Sequence, residues 1–262
     1  MSPSPSIGVF DSGIGGLGVF SEIRRLLPHS DLVYLADHAR APYGVRSLAE
    51  IEDRSHQVTE WLIGQGCALV TIACNTASTA ALAQLRISHP HVVFVGMEPA
   101  IKPAVAVTGR QRVGVVATAA TFQGALFASA VDRFASDVDV VTAACPNWVT
   151  IVEEGDIEGP RARSEVAACL SPLVEAQVDV VVLACTHFGA LAALIRRELG
   201  PEVIVIDPAP AVAGQTARVA GELGAGGGSG LTLLYSTASP RLLEAAAASH
   251  GVPGAATLLP LP

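Results

Sequence analysis

Basic residues form no run anywhere in the chain, and acidic residues outnumber them by 24 to 16, for a net charge of −8. A nucleic-acid surface needs a positive patch or stripe, so nucleic acid is not expected as a partner. No apolar stretch suits a membrane either. The longest, Val180 to Ile195, carries Cys185, Thr186 and His187 and falls short of the roughly 20 residues that a bilayer span needs. The opening residues Met1-Ser2-Pro3-Ser4-Pro5-Ser6 lack a charged segment followed by an apolar one. A secretory signal is therefore not expected, nor, with few residues ahead of the first strand, is an N-terminal regulatory extension. The expectation is a soluble cytoplasmic protein. Aromatic residues are scarce, at 5 %, although half the chain is hydrophobic. Ala, Val, Leu and Gly fill the interior instead, as in α/β proteins whose helices pack closely on a sheet.

Cysteine is present but unpaired by pattern. The five residues are Cys67, Cys74, Cys145, Cys169 and Cys185, an odd number with no C-x-x-C spacing. Neither disulfides nor structural zinc is expected from such a set in a cytoplasmic chain, and no metal site is read. Most of the five should be small buried hydrophobes.

The apolar runs are short and rich in Val and Ile: Ile7–Phe10, Asp31–Ala36, Leu69–Ala73, Val92–Val95, Val113–Ala117, Val138–Ala143, Val178–Ala184 and Val203–Ile206. Helix-period segments lie between them, among them Gly16–Leu27, Ser47–Gln65, Ser78–Ile87 and Arg161–Ala176. Strands that alternate with helices predict an α/β fold with mainly parallel, doubly covered sheets. A chain of this length allows one large domain or two of about 100–130 residues each.

Three landmarks decide for two. Ile7-Gly8-Val9-Phe10 is answered by Val113-Gly114-Val115-Val116, Cys74 by Cys185, and Glu98-Pro99-Ala100 by Asp207-Pro208-Ala209, at separations of 106, 111 and 109 residues. Landmarks repeated in one order at nearly one spacing predict two pseudo-symmetric, doubly wound domains with a cleft between them. Residues 1–98 together with about 210–262 form the first, and residues 99–209 the second. Gly224–Gly230 reads as a loop or flexible turn. Cys74 and Cys185 each follow an apolar run ending in Ala and precede small polar residues and a helical pattern. Strand C-termini that feed helix N-termini are where open α/β sheets put their chemistry. Two thiols in equivalent places suggest one substrate flanked on both sides.

One motif points elsewhere. Gly13-Ile14-Gly15-Gly16-Leu17-Gly18 has the G-x-G-x-x-G spacing after a strand, and Asp37 ends the next strand 19 residues beyond Gly18. That is the layout of a dinucleotide fingerprint, so a nicotinamide-dependent oxidoreductase is the alternative from another class. Against it, Asp11-Ser12 opens the loop, and an acidic side chain there would face the pyrophosphate. The alternative also leaves the second half and both cysteines without a task. A two-lobed amino-acid binding module is a third reading, in which the cysteines would again have no purpose.

Five motifs in one order complete the pattern: Gly8-Val9-Phe10-Asp11-Ser12-Gly13-Ile14-Gly15-Gly16-Leu17, Pro42-Tyr43-Gly44, Ala73-Cys74-Asn75-Thr76-Ala77, Val152-Glu153-Glu154-Gly155 and Cys185-Thr186-His187. Together they resemble the glutamate racemases of the aspartate/glutamate racemase superfamily. The resemblance implies a cofactor-independent isomerase that interconverts L- and D-glutamate for peptidoglycan, with a homodimer as the usual assembly. It makes Cys74 and Cys185 the two acid/base residues. Asp11 and His187 assist proton transfer, and Glu153 assists on the second side. Asp11, Ser12, Tyr43, Gly44, Asn75, Thr76, Thr186 and His187 contact the amino acid. The chain departs from the family pattern at Ala36-Asp37-His38 and Phe188-Gly189-Ala190, both beside the expected site, which keeps a racemase of another amino acid, such as aspartate, as an alternative.

The residue types suit the reaction. Racemisation takes the α-proton from one face and returns a proton to the other, which two opposed bases do without moving the substrate. A thiol of pKa about 8.5 is mostly protonated at neutral pH, and bringing it to about 7 requires roughly 2 kcal/mol. A helix N-terminus supplies only about 0.3–1 kcal/mol. Asp11 near Cys74 and His187 near Cys185 are the groups to take or give the thiol protons. As an anion Asp11 raises a neighbouring thiol's pKa, so its role is that of acceptor. Ser12, Asn75, Thr76 and Thr186 stand at strand-to-helix turns, where they can cap helices or donate to a carboxylate on which charge develops.

Overall fold

The computed structural model describes residues 6–261. The opening residues 1–5, on which the signal and extension readings rest, lie outside them. The first half runs β1 (Ser6–Asp11), α1 (Leu17–Leu26), β2 (Leu32–Ala36), α2 (Leu48–Gly64), β3 (Cys67–Ile72), α3 (Asn75–Ser88) and β4 (Val93–Gly96). After α4 (Ile101–Val107), the second runs β5 (Arg112–Ala117), α5 (Ala119–Gln123), α6 (Ala125–Phe134), β6 (Asp139–Ala144), α7 (Trp148–Glu153), α8 (Pro160–Glu175), β7 (Val180–Leu183), α9 (Ala192–Leu199) and β8 (Ile204–Ile206). The chain then adds α10 (Ala209–Glu222), β9 (Thr232–Ser236), α11 (Pro240–Ser249) and β10 (Ala256–Leu258).

The result is α/β with two parallel sheets. One has the order β10-β9-β2-β1-β3-β4, the other β6-β5-β7-β8. Leaving aside β9 and β10, the two orders are the same, with the first strand of each half second in line and the third strand beside it. All pairings are parallel. Central strands such as Leu32–Ala36 and Val180–Leu183 are buried along their whole length, which is why they read as unbroken apolar runs. β9 pairs with β2, so the tail after residue 210 returns to the first sheet. The glycine-rich segment before β9 is a loop tied to the turn before β2: the Asp31 carboxylate accepts the N–H groups of Ser229 and Leu231, both at 2.9 Å, and the Ser30 hydroxyl donates to the Ala225 carbonyl.

Helix starts follow local chemistry. α2 opens with a capping box between Ser47 and Glu50, and α3 uses Cys74 itself as its N-cap. The largest buried apolar cluster is continuous through both halves, joining Val9, Phe20 and Tyr34 to Trp148, Leu183, Phe188 and Ala213. The two sheets therefore meet over a common core, and the C-terminal ends of β1, β3, β5 and β7 carry Asp11, Cys74, Thr118 and Cys185 at or just beyond their last residues. Among the described residues no helix is long and apolar enough to cross a membrane.

The cysteine expectation needs correction. Cys145 and Cys169 form a disulfide, with Cα atoms 5.9 Å apart. Cys145 leaves the end of β6 just where α8 packs on that strand. Redox compartment says how often disulfides persist; the fold decides which thiols meet. Cys67, Cys74 and Cys185 are free and buried.

Candidate active site

Each thiol stands where its strand gives way to a turn. Cys74 Sγ accepts the Ala77 N–H at 3.5 Å at the head of α3. Cys185 heads a short 3₁₀ turn, Thr186–Leu191, and regular helix starts only at Ala192. The two strand ends are alike and the helix ends behind them are not. Burial pushes the Cys74 thiol well above its usual pKa, and the charges of Asp11 and Cys185 push it the same way. Cys74 is thus a protonated thiol at neutral pH, within electrostatic reach of the second thiol.

Asp11 ends β1, fully buried. Its Oδ2 accepts the N–H groups of Gly16 at 2.9 Å and Gly13 at 3.3 Å, and its Oδ1 accepts the Thr186 hydroxyl at 3.4 Å. Burial raises its pKa, against the opposing pull of His187 and the Gly16 N–H. A carboxylate that is costly to ionise and stands within electrostatic reach of a thiol has the properties of a proton acceptor for that thiol.

The other thiol faces an imidazole. Cys185 Sγ lies 4.0 Å from His187 Nδ1, and His187 Nε2 lies 2.6 Å from Glu153 Oε1. Glu153 is the last residue of α7, and its side chain is only 16 % exposed. The same Oε1 accepts the Ile14 N–H at 2.8 Å. Burial works against charge on both groups. For Glu153 the bond from His187 and the facing His38 ring outweigh it and hold the carboxyl well below its usual range. For His187 the bonds to Cys185 and Glu153 outweigh it and hold the imidazole well above its usual range. The pair is a buried imidazolium and carboxylate, with an N–H directed at Cys185 Sγ.

This arrangement explains the glycine loop. A Cβ at Gly13 would overlap the Glu153 carboxylate, and one at Gly15 would overlap the His187 ring. The loop's N–H groups at Gly13, Ile14 and Gly16 already bind Asp11 and Glu153. Two protein carboxylates fill the positions a pyrophosphate would need, so the dinucleotide alternative loses its site.

The remaining predicted residues fall into two groups, one at the strand ends and one on the turn after β2. Ser12, Asn75, Thr76 and Thr186 lie at the strand ends around the thiols, and the first three are buried. Both polar atoms of the Asn75 amide are buried without a hydrogen-bond partner among the described residues. An unanswered buried amide is costly, and a polar ligand would satisfy it. The Tyr43 hydroxyl donates to Asp37 Oδ2 at 2.7 Å, and Arg54 holds the same carboxylate. Tyr43 thus anchors the turn that presents Gly44, and Gly44 packs against Thr118 from the other sheet.

Sequence reasoning missed three residues here. The Thr76 hydroxyl is 3.1 Å from that of Thr118 and 3.3 Å from that of Thr121, which joins the two sheets across the cleft. Thr118 lies 106 residues after Ser12, the same separation as the first repeated landmark, so the repeat contained the signal. His38 Nε2 lies 3.4 Å from Glu153 Oε2, and no spacing in the sequence points to that contact.

Comparison with known proteins agrees with this geometry. Residues 8–216 match the Asp/Glu/Hydantoin racemase family. A glutamate racemase of Pseudomonas aeruginosa is 44 % identical over 243 residues, 92 % of each chain. The fold is similar to that of the Francisella tularensis glutamate racemase in complex with D-glutamate, with a TM-score of 0.87 and 27 % identity over 98 % of each chain. It is similar also to the Escherichia coli glutamate racemase in complex with L-glutamate and the activator UDP-MurNAc-ala, with a TM-score of 0.86 and 30 % identity over 98 % of each chain.

Proposed function

Because the chain belongs to the Asp/Glu/Hydantoin racemase family, we propose that this isomerase interconverts L- and D-glutamate without a cofactor, using Cys74 and Cys185 on opposite faces of the α-carbon. The observation that carries the reading is the pair of buried thiols at equivalent strand ends, each with its own proton partner: Asp11 for Cys74 and the Glu153–His187 pair for Cys185. Glutamate as substrate is supported by the relatives, one solved with D-glutamate and another with L-glutamate.

In one direction Cys74 passes its proton to Asp11 and, as thiolate, removes the α-proton. Charge moves onto the substrate carboxylate, which the donors of Ser12, Asn75, Thr76 and Thr186 stabilise. Cys185 then gives its proton to the opposite face, and His187 steadies the thiolate left behind. In the reverse direction the roles exchange. One proton leaves the carbon and one returns, so no oxidant, metal or carrier takes part in these steps. The family resemblance adds two further proposals: supply of D-glutamate for peptidoglycan, and a homodimer, which light scattering of the purified protein tests.

Circular dichroism of purified protein with a panel of L- and D-amino acids, without added cofactor, tests the reaction and substrate together. Loss of signal with glutamate is expected; loss with aspartate alone would assign the other substrate. Cys74→Ala and Cys185→Ala are each expected to abolish racemisation, and full activity in either would end the two-base reading.

A further inference from the structure

Glu153 has a third partner that the reaction as described does not use. His38 follows β2 in the first sheet and reaches Glu153, on α7 of the second half, with Nε2 3.4 Å from Oε2. Its side chain is only 4 % exposed, and its Nε2 is buried with no hydrogen bond formed among the described residues, so the Glu153 carboxylate is the polar group that faces it, at ion-pair distance. It sits in the Ala36-Asp37-His38 stretch, where the chain departs from the family pattern.

Hydrogen bonding fixes the tautomer. His38 Nδ1 lies 2.7 Å from Ser236 Oγ. That oxygen already accepts the N–H groups of Ser239 at 2.8 Å and Ala238 at 3.3 Å. A hydroxyl that accepts two bonds still has its proton to give, so it donates to Nδ1. Nε2 therefore carries the hydrogen, on the side of the ring that faces Glu153 Oε2 at 3.4 Å. The outcome is one line of contacts from β9 to the reacting thiol: Ser236, His38, Glu153, His187, Cys185.

We propose that His38 is a positioning residue for racemisation: its Nε2–H holds Glu153 Oε2 so that Oε1 stays on His187, and it thereby sets the orientation and proton affinity of the imidazole facing Cys185. The proposal rests on the two-thiol reading. The groups facing this line are Asp11 from β1 and the Ile14 N–H against Glu153 and His187, with Asp37, held by Arg54 of α2 and Tyr43, on the His38 segment. None of these replaces the Nε2 contact to Oε2. Without it, Oε2 loses the donor that faces it, and the carboxylate, now more basic, holds the His187 proton more tightly.

Two near-isosteric variants separate the ends of the ring. His38→Asn keeps an acceptor near the Nδ1 position for Ser236 and loses the reach to Glu153. His38→Gln keeps a donor near the Nε2 position. Racemisation of glutamate is followed by circular dichroism across pH, with Cys185→Ala alongside. For His38→Asn, kcat is expected to fall about 10-fold, the lower part of the range for acid–base assistance, with KM within about twofold. Its alkaline limb in kcat/KM should move up by about half a pH unit or more, because Glu153 then holds the His187 proton more tightly. His38→Gln should stay within about threefold of the parent, with its limb unmoved. Parental kcat in His38→Asn overturns the proposal. So does an equal fall in both variants with an unshifted limb, which is what simple loosening of the segment would produce. Full racemisation by Cys185→Ala would defeat the underlying two-thiol reading, whatever the His38 variants do.

Discussion

Glu153 and His187, 2.6 Å apart in a buried setting, tie stability to pH through opposite shifts. The carboxyl is held below its usual range, so its contribution is present above the unfolded pKa of about 4.3 and is lost as pH falls through the folded value. The imidazole is held above its usual range, so its contribution is complete below about 6.5 and is lost as pH rises toward the folded value. The stability difference between the parent protein and Glu153→Gln is therefore expected to be largest between about pH 4.5 and 6.5 and to shrink on both sides. Denaturant titrations of both proteins at several pH values measure it, and a difference that keeps growing above pH 8 would contradict the ion pair. Gly15 makes a second residue-scale prediction. A methyl group there overlaps the His187 ring, and overpacking costs about 1–3 kcal/mol. Gly15→Ala is expected to lose most of its activity, by circular dichroism assay, while it still folds cooperatively. The glycines of this loop were legible as a close approach of backbone to something. The something was misleading, because G-x-G-x-x-G spacing records that a side-chain-free path is needed and not what occupies it.

At the scale of elements, α7 deserves separation from its neighbours. It is six residues long, it carries Glu153 at its end, and Cys145 just before it is bonded to Cys169 on α8. The bond closes a loop with a sequence separation of 24. Loops of that size are worth about 3 kcal/mol through the unfolded chain. Cys169→Ser, or reduction by a dithiol, is expected to lower unfolding free energy by about 2–4 kcal/mol in denaturant titration. An unchanged midpoint would mean that the bond constrains nothing. β1, β2, β3, β5 and β7 were readable because buried parallel strands must be continuous apolar runs, and β4, β6 and β8, partly exposed, through their Val and Ile and their alternation with helices. β9 and β10 were not. They are an added pair at the sheet edge, partly exposed and short at five and three residues, so they show little of that signal. The Cys145–Cys169 contact was equally hidden, since it depends on where α8 crosses β6.

At the scale of the molecule, the two halves repeat the same strand order and meet over a shared core. The cleft is narrow where Gly44 touches Thr118: a Cβ on Gly44 would stand 2.7 Å from Thr118 Cβ. Gly44→Ala is expected to prop the halves apart and lower kcat/KM about 10-fold, mostly through KM. Steady-state kinetics checks this, and parental kinetics would show that the contact does not shape the site. The two-thiol layout was legible in the repeat, because equivalent strand ends must face each other when two copies of one fold close on a ligand. The unequal helpers were less so, since Glu153 and His38 follow the corresponding strands β6 and β2 but are not themselves a repeated residue pair. That inequality has a consequence in thermodynamics. Mirror-image substrates have equal free energies, so the equilibrium constant is one whatever the protein looks like. The two directions must then keep equal kcat/KM, and any substitution at Asp11, His38, Glu153 or His187 must change both by one common factor. Only the separate kcat and KM values can differ between enantiomers, and there alone the lopsided chemistry of the two faces becomes visible.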